Sequence, residues 1–177
     1  MKAISVLLMI CLLLLGTSYL RSLAEIVYVT DLSDLLTSAS VIVNGESVAP
    51  GEGVTVNYRE DTLYNLRLSF QEEEERQFSN TDTLTYKLPN GFVLPDDFSM
   101  TFDIRLGRKG TLTNNTVTYD PDTNSLQINW NTDDTKAYNT FTASATAAFT
   151  LDIQGYIDAP DGEILFEDGA SINVEKI

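Results

Sequence analysis

Apolar and polar residues alternate along most of this chain, which is the pattern of strands that bury one face. Alternating segments include residues 54–58, 64–70, 84–88, 100–106 and 126–130. Turn-forming sequences such as Asn44-Gly45 and Pro89-Asn90-Gly91 separate the segments. Turns recur roughly every 8–12 residues, the spacing typical of β-sandwiches. The pattern therefore predicts about ten short strands in an all-β, antiparallel β-sandwich.

The clearest alternation predicts one long central strand over residues 141–153. Its apolar face would carry Phe141, Ala143, Ala145, Ala147, Phe149, Leu151 and Ile153. The small residues in this set predict that two sheets approach closely at one end of the strand. The preceding segment, from Asn131 to Asn139, is interpreted as a polar loop.

Residues 25–39 are interpreted as a lead segment that precedes the sandwich. Leu32, Leu35 and Leu36 have helical spacing, and Asp31 is placed to cap. We therefore expect one short N-terminal helix that packs on the sandwich; its leucines could instead contact a partner protein. The β-sandwich domain is predicted to span residues 40–177, and it begins with a hairpin arm at Ser40.

The first 24 residues have the composition of a signal peptide. Lys2 precedes an apolar run of about a dozen residues, Ile4 to Leu15, which is short for a membrane span. Cleavage is predicted after Ala24, in the sequence Ser22-Leu23-Ala24. An uncleaved anchor is the alternative, because Arg21 follows the apolar run. We expect a secreted or cell-surface protein without membrane insertion once the signal is removed.

The mature chain lacks the residues on which most catalytic and structural metal sites depend. The chain has no histidine, and Cys11, its one cysteine, lies within the predicted signal. Disulfide frameworks, the usual zinc sites, Ser-His-Asp triads and Cys-His dyads are therefore excluded. We expect neither a cofactor nor enzyme activity. Adjacent acids such as Asp96-Asp97 and Asp133-Asp134 lie in predicted turns or loops, which does not suit glycoside hydrolysis.

Charge further limits the partners of this protein. Loss of Lys2 and Arg21 with the signal leaves nine basic residues against 26 acidic ones, a formal charge of −17. Such a surface repels nucleic acids and anionic membranes. Arg108 and Lys109 form a basic hairpin tip against this background, and we note them as candidate ligand-binding residues.

Two acidic segments resemble cation sites without meeting the requirements of one. The run Glu72–Glu75 is interpreted as a solvated loop at a strand end; a divalent-cation or basic-partner patch is the alternative. Asp120, Asp122 and Asn124 have the spacing of the first EF-hand ligands. The rest of that motif is missing, because Ser125 and Asn131 replace its glycine and glutamate. This segment is predicted to be a hairpin turn.

A set of segments, taken in order, resembles a known family. They are LSFQEEEERQF, LTYKLPNGFVLP, YDPDTNSLQINW, FTASATAAFTLDI and ILFEDGASINV. Over roughly Ser40 to Val174 the chain resembles the N-terminal domain of Gram-positive cell-wall-anchored adhesins and pilus-type surface proteins. These are collagen-adhesin-like proteins with a variant immunoglobulin-like fold. The resemblance implies a domain for adhesion or for fibre or stalk structure, and an extracellular protein or glycan as ligand.

Further expectations follow from this resemblance. It implies stalk repeats and a C-terminal sorting signal that this chain does not contain, so wall anchoring is expected only if the chain is a fragment. We expect a monomer or one domain of a longer surface protein. Related domains often carry a Lys–Asn isopeptide bond, for which Lys87, Asp103 and Asn173 are the candidates here. Strand alternation places all three away from the apolar faces, which argues against the bond.

A secreted carbohydrate-binding module is the alternative function. It would require exposed aromatic rings, and Trp130 and Tyr138 are the best candidates. Trp130, however, lies on the same predicted face as Leu126 and Ile128, which favours a core position. Exposure of both rings would support this alternative, and burial of both would exclude this version of it.

Overall fold

The computed structural model describes residues 29–79, 82–144 and 146–177. The predicted signal peptide, its cleavage after Ala24 and the first four residues of the lead lie outside this part of the chain. The described residues form the strands β1 (Leu36–Val43), β2 (Glu46–Val48), β3 (Thr55–Tyr58), β4 (Leu63–Gln71), β5 (Leu84–Lys87), β6 (Phe92–Val93), β7 (Ser99–Arg105), β8 (Thr111–Asp120), β9 (Ser125–Asn129), β10 (Ala148–Ile157), β11 (Glu163–Leu165) and β12 (Ser171–Lys176). The helix α1 spans Thr135–Thr142, and short 3-10 turns occur at Ser33–Leu35, Gln77–Ser79 and Gly107–Lys109.

The strands form three sheets. One has the order β2-β1-β4-β10-β6, a second has the order β5-β9-β8-β7, and a small third sheet has the order β11-β12-β3. Neighbouring strands are antiparallel in the two large sheets, whereas β12 pairs with β3 in parallel. The all-β, antiparallel sandwich is therefore confirmed, with one parallel pair that the alternation did not predict.

Aromatic side chains join the two large sheets across the core. Within the five-stranded sheet, Phe70 of β4 and Phe149 of β10 stack with ring centroids 5.1 Å apart. Phe70 also meets Tyr86 of β5 edge-on, and Phe149 lies 5.9 Å from Phe102 of β7. Edge-to-face and offset pairs of this kind stabilise a core beyond the area that they bury. The two sheets therefore pack face to face around these rings.

Several local predictions are confirmed. Asn44 and Gly45 have φ values of 52° and 85°, as a type I′ turn between β1 and β2 requires. The Asp120–Asn124 segment is a hairpin turn between β8 and β9, in which Asp120 accepts hydrogen bonds from Asp122 N and Thr123 Oγ1. No helix among the described residues is long and apolar enough to cross a membrane.

The lead segment is shorter than predicted and contributes directly to the sandwich. Its helical part is only the 3-10 turn Ser33–Leu35, and β1 begins at Leu36, four residues before Ser40. Leu32 and Leu35 are buried in the core, so these leucines pack on their own domain. Leu32 N also donates to Thr85 O at 2.9 Å, which ties the lead to the β5 edge of the four-stranded sheet.

The prediction of one strand over residues 141–153 is wrong in its first half. Residues Thr135–Thr142 form α1, and β10 begins only at Ala148. Asp134 caps the helix by accepting a hydrogen bond from Ala137 N at 3.0 Å. Ala137 and Tyr138 lie one helical turn before Phe141, and all three are buried. Ala143 is the C-cap of this helix, so the apolar alternation at this position does not mark a strand.

Candidate ligand-binding groove

A groove of about 320 Å³ lies at one end of the sandwich. It is bounded by the end of β7, the turn before β8, the end of α1 and the start of β10. Its lining residues are Ile104, Arg105, Leu106, Lys109, Thr140, Phe141, Ser144, Thr146, Ala147 and Ala148. Binding sites of sandwich folds are often built from the loops at one end, so this location is suitable for a ligand site.

One wall of the groove is cationic because of how β7 turns into β8. The register of the two strands shifts between Phe102 and Ile104, opposite Asn114, whose φ is 58°. Asp103 supports this irregularity by accepting a hydrogen bond from Asn114 N at 3.1 Å. The turn is then closed by Leu106 N, which donates to Gly110 O at 2.8 Å.

The cations of this wall are not neutralised by ion pairs within the described residues. The salt bridges there join Arg67 to Asp152, Lys87 to Glu167 and Lys176 to Glu60, all away from the groove. Arg105, Arg108 and Lys109 lie within five residues of sequence and are exposed. Of the two predicted tip residues, Lys109 lines the groove and Arg108 does not. Arg105 was not identified from the sequence, where it is only a polar position of the alternating segment 100–106.

The opposite wall is the last turn of α1, which aromatic contacts fix in place. Phe141 stacks on Phe78 with centroids 5.9 Å apart and meets Trp130 edge-on at 5.1 Å. Tyr138 Oη donates to Ser79 O at 2.9 Å. The helix therefore cannot move without disturbing the core, and Thr140 and Ser144 are held facing the groove.

Glu72 holds the floor of the groove, although sequence analysis interpreted it as part of a solvated loop. It is 2% exposed, whereas Glu73, Glu74 and Glu75 are exposed. Its Oε1 accepts from Phe78 N at 2.6 Å, and its Oε2 accepts from Ala147 N at 3.1 Å. Burial raises the pKa of Glu72, while these backbone hydrogen bonds oppose the rise.

Sequence alternation contained the signal that was missed at Glu72. Leu66, Leu68 and Phe70 define the buried face of β4, and the next position with the same parity is Glu72. A carboxylate in that position must find hydrogen-bond donors, and the backbone supplies two of them.

A second buried polar side chain supports the wall that leads into α1. Asn115 is fully buried; its Nδ2 donates to Phe102 O at 3.2 Å and to Leu112 O at 3.1 Å. Its Oδ1 accepts from Asn131 N at 3.0 Å. Asn115 therefore connects the irregular part of β7 and β8, which carries the cations, to the segment that begins α1.

Trp130 and Tyr138 do not form an exposed platform. They are 8% and 9% exposed, and Trp130 contacts Phe78, Phe102, Phe141 and Phe149. The core position favoured for Trp130 is confirmed. The version of the carbohydrate-binding hypothesis that rests on these two rings is therefore wrong, because a sugar cannot stack on a ring that packing covers.

The three isopeptide candidates are not brought together. Lys87 and Asp103 lie on β5 and β7, the two outer strands of the four-stranded sheet, which are separated by three strand spacings or about 14 Å. Asn173 belongs to β12 of the small sheet. All three side chains are exposed, and Lys87 pairs with Glu167 at 3.5 Å. This arrangement does not place a carboxyl group beside a Lys–Asn pair.

The polar lining of the groove is cationic and hydroxyl-bearing. Its polar side chains are two cations and three hydroxyls, with no carboxylate or imidazole among them. Within the described residues, no group of three or more His, Cys, Asp or Glu side chains could hold a metal ion. Two cations beside hydroxyl groups can bind an anionic group and hydrogen-bond to its neighbours. No protein-family model and no curated protein matches this chain.

Proposed function

We propose that this protein is a non-catalytic, extracellular surface domain that serves adhesion on a Gram-positive bacterium. The family and its immunoglobulin-like class rest on the resemblance of the ordered segments described above. The signal-like first 24 residues support secretion. The absence of histidine from the whole chain, and of cysteine after residue 11, supports a role in binding rather than catalysis.

The groove is the observation that favours adhesion over a purely structural role. A stalk or fibre domain needs only end-to-end contacts, whereas this domain holds a concave site with two cations in an otherwise acidic molecule. Two buried polar groups, Glu72 beneath the floor and Asn115 behind one wall, fix the groove. A rigid and chemically distinct concavity at the end of a sandwich is typical of a recognition site.

The test is an adhesion assay with the secreted protein, expressed from the full sequence and coupled to beads. Beads are passed under flow over surfaces coated with collagen, fibronectin, mucin or hyaluronan, and over albumin as a control. We expect retention on at least one coating and none on albumin. Equal retention on every coating, or none on any with folded protein, would contradict an adhesive function.

A further inference from the structure

We infer that the groove binds a carboxylated sugar, such as a uronate or sialate residue of an acidic glycan. This inference names the ligand class of the proposed adhesive site and therefore rests on the proposed function. It does not depend on Trp130 or Tyr138, since both rings are buried.

The cationic wall is suited to one carboxylate. Arg105 and Lys109 both line the groove, and no carboxylate lines it with them. A guanidinium binds a carboxylate through two parallel hydrogen bonds, and an ammonium adds a point charge. The molecule as a whole is acidic, so an anionic ligand is repelled elsewhere and attracted here.

The opposite wall is suited to the hydroxyl groups of a sugar. Ser144 and Thr146 each present a hydroxyl, which can donate one hydrogen bond and accept others, whereas the Thr140 hydroxyl donates to Lys136 O at 2.7 Å and can only accept. α1 also ends here, where Asn139 O and Phe141 O accept from Ala143 N and Ser144 N also donates to Phe141 O, so these carbonyls are already engaged. The partial negative charge of a helix C-terminus disfavours a second carboxylate, so a ligand with one acid and several hydroxyls fits best.

The size and floor of the groove argue for a sugar over an acidic peptide. Its volume of about 320 Å³ is at the small end of the range for small-molecule sites. Phe141 and Ala147 form the floor, but they are only 2% and 3% exposed. A peptide usually anchors through a bulky side chain in an apolar pocket. Of the apolar side chains that line the groove, Ile104, Phe141 and Ala147 are buried, which leaves only Leu106 and Ala148 for such an anchor.

The experiment follows backbone amide shifts of the isotope-labelled, secreted protein by NMR. The carboxylated probes are sialyllactose and a hyaluronan tetrasaccharide. Lactose and cellotetraose are their neutral counterparts, and an acetylated, amidated tri-glutamate is the acidic peptide. We expect shifts at Arg105, Lys109 and Ser144 with at least one carboxylated sugar and not with its neutral counterpart.

Variants connect the shifts to the cations. R105Q/K109Q should weaken binding of that sugar by about tenfold or more, whereas R59Q/R76Q, which removes the same charge elsewhere, should change it less than about twofold. Methyl esterification of the sugar carboxylate should have the effect of the groove variant. The spectrum of R105Q/K109Q outside the groove shows whether that variant is folded.

Three results would overturn the inference. They are no groove shifts with either acidic sugar, equal binding of the neutral sugars, and tighter binding of tri-glutamate along the outer edge of β7 from Ser99 to Arg105. If the beads are retained in the flow assay but acidic sugars cause no shifts in the groove, the ligand class alone is rejected. Groove binding without bead retention would instead reject the adhesive function.

Discussion

Glu72 Oε2 and the backbone N–H of Ala147 are joined by a hydrogen bond of 3.1 Å across 75 residues of sequence. The contact is reciprocal, because Glu72 N donates to Ala147 O at 2.9 Å. Ala147 and its neighbours Thr146 and Ala148 line the groove. One buried carboxylate therefore fixes both the entry to β10 and the floor of the candidate site.

The first prediction concerns this carboxylate. E72Q keeps the shape of the side chain but turns an NH₂ group toward one of the two backbone donors. It should lower the free energy of unfolding by about 1–3 kcal/mol at neutral pH, since one buried N–H loses its acceptor. E74Q is the matched control, because Glu74 is exposed, and should change stability by less than about 0.5 kcal/mol. Equal effects of the two variants in denaturant unfolding would contradict the role given to Glu72.

The pKa of Glu72 adds a pH dependence to the same comparison. Burial raises its pKa in the folded state, so the folded protein binds this proton more tightly than the unfolded chain. The resulting stability is present below the unfolded pKa and is lost as pH rises through the folded pKa. The difference in stability between the natural protein and E72Q should therefore be larger near pH 4 than at pH 7. A difference that grows with pH would show that the hydrogen bonds outweigh burial.

Asn115 provides a second prediction. N115A leaves Phe102 O, Leu112 O and Asn131 N without their side-chain partner in a fully buried place. We expect a loss of about 2–3 kcal/mol. Thr116 is exposed on the same strand, and T116A should be close to neutral. Chemical denaturation of the natural protein and the two variants measures both changes in stability. An unchanged free energy of unfolding for N115A would contradict the structural role given to Asn115.

Gly155 tests the packing of β10 against β6. A Cβ at this position would lie 2.4 Å from Val93 O and 2.6 Å from a ring carbon of Phe92. G155A should therefore cost at least about 3 kcal/mol, because backbone and a buried ring must both move. Q154A, next to it on the exposed face, is the control. If G155A unfolded at the same denaturant concentration as Q154A, the pairing of β10 with β6 would be wrong.

The one tryptophan reports on the core directly. Trp130 is surrounded by four phenylalanine rings, and its Nε1 has no hydrogen-bond partner among the described residues. The native fluorescence should lie at shorter wavelength than that of free tryptophan and should resist quenching by acrylamide. Emission at the wavelength of exposed tryptophan would show that Trp130 is accessible, and the hypothesis that a sugar stacks on its ring would then stand again.

The sequence predicted a strand correctly where the local pattern of apolar and polar residues had only one interpretation. Alternation identified β4, β7 and the first part of β10, because Leu68, Ile104 and Leu151 each face one core. It failed at residues 141–147, because Phe141 and Thr142 complete α1, which packs through Phe141 on Phe78, and β10 begins only at Ala148. Propensity alone is too weak to settle such a segment.

The candidate site was harder to predict because its residues are distant in sequence. Lys109 was identified from its charge, but the partner wall comes from α1, which was assigned as loop and strand. Strand alternation alone places the Arg105 side chain on the outer face and the Glu72 side chain on the inner face. It does not say which groups each side chain contacts. Those contacts depend on how the two sheets and the helix are arranged.

The isopeptide question has a simple answer in solution. Lys87, Asp103 and Asn173 are exposed and lie on strands that are not adjacent. The intact mass of the secreted protein should equal the mass of its sequence from the cleavage site, without the loss of one ammonia. A mass lower by one ammonia would show that an isopeptide bond forms, which the positions of these three residues do not allow.

Retention of beads under flow tests the central claim, that the domain adheres through the groove. The measurement compares the natural protein with R105Q/K109Q and with R59Q/R76Q on whichever coating retains the natural protein. The two variants have the same net charge, so only the position of the lost cations differs. The account predicts about tenfold weaker retention for R105Q/K109Q and nearly natural retention for R59Q/R76Q. Equal retention of the two variants would contradict it.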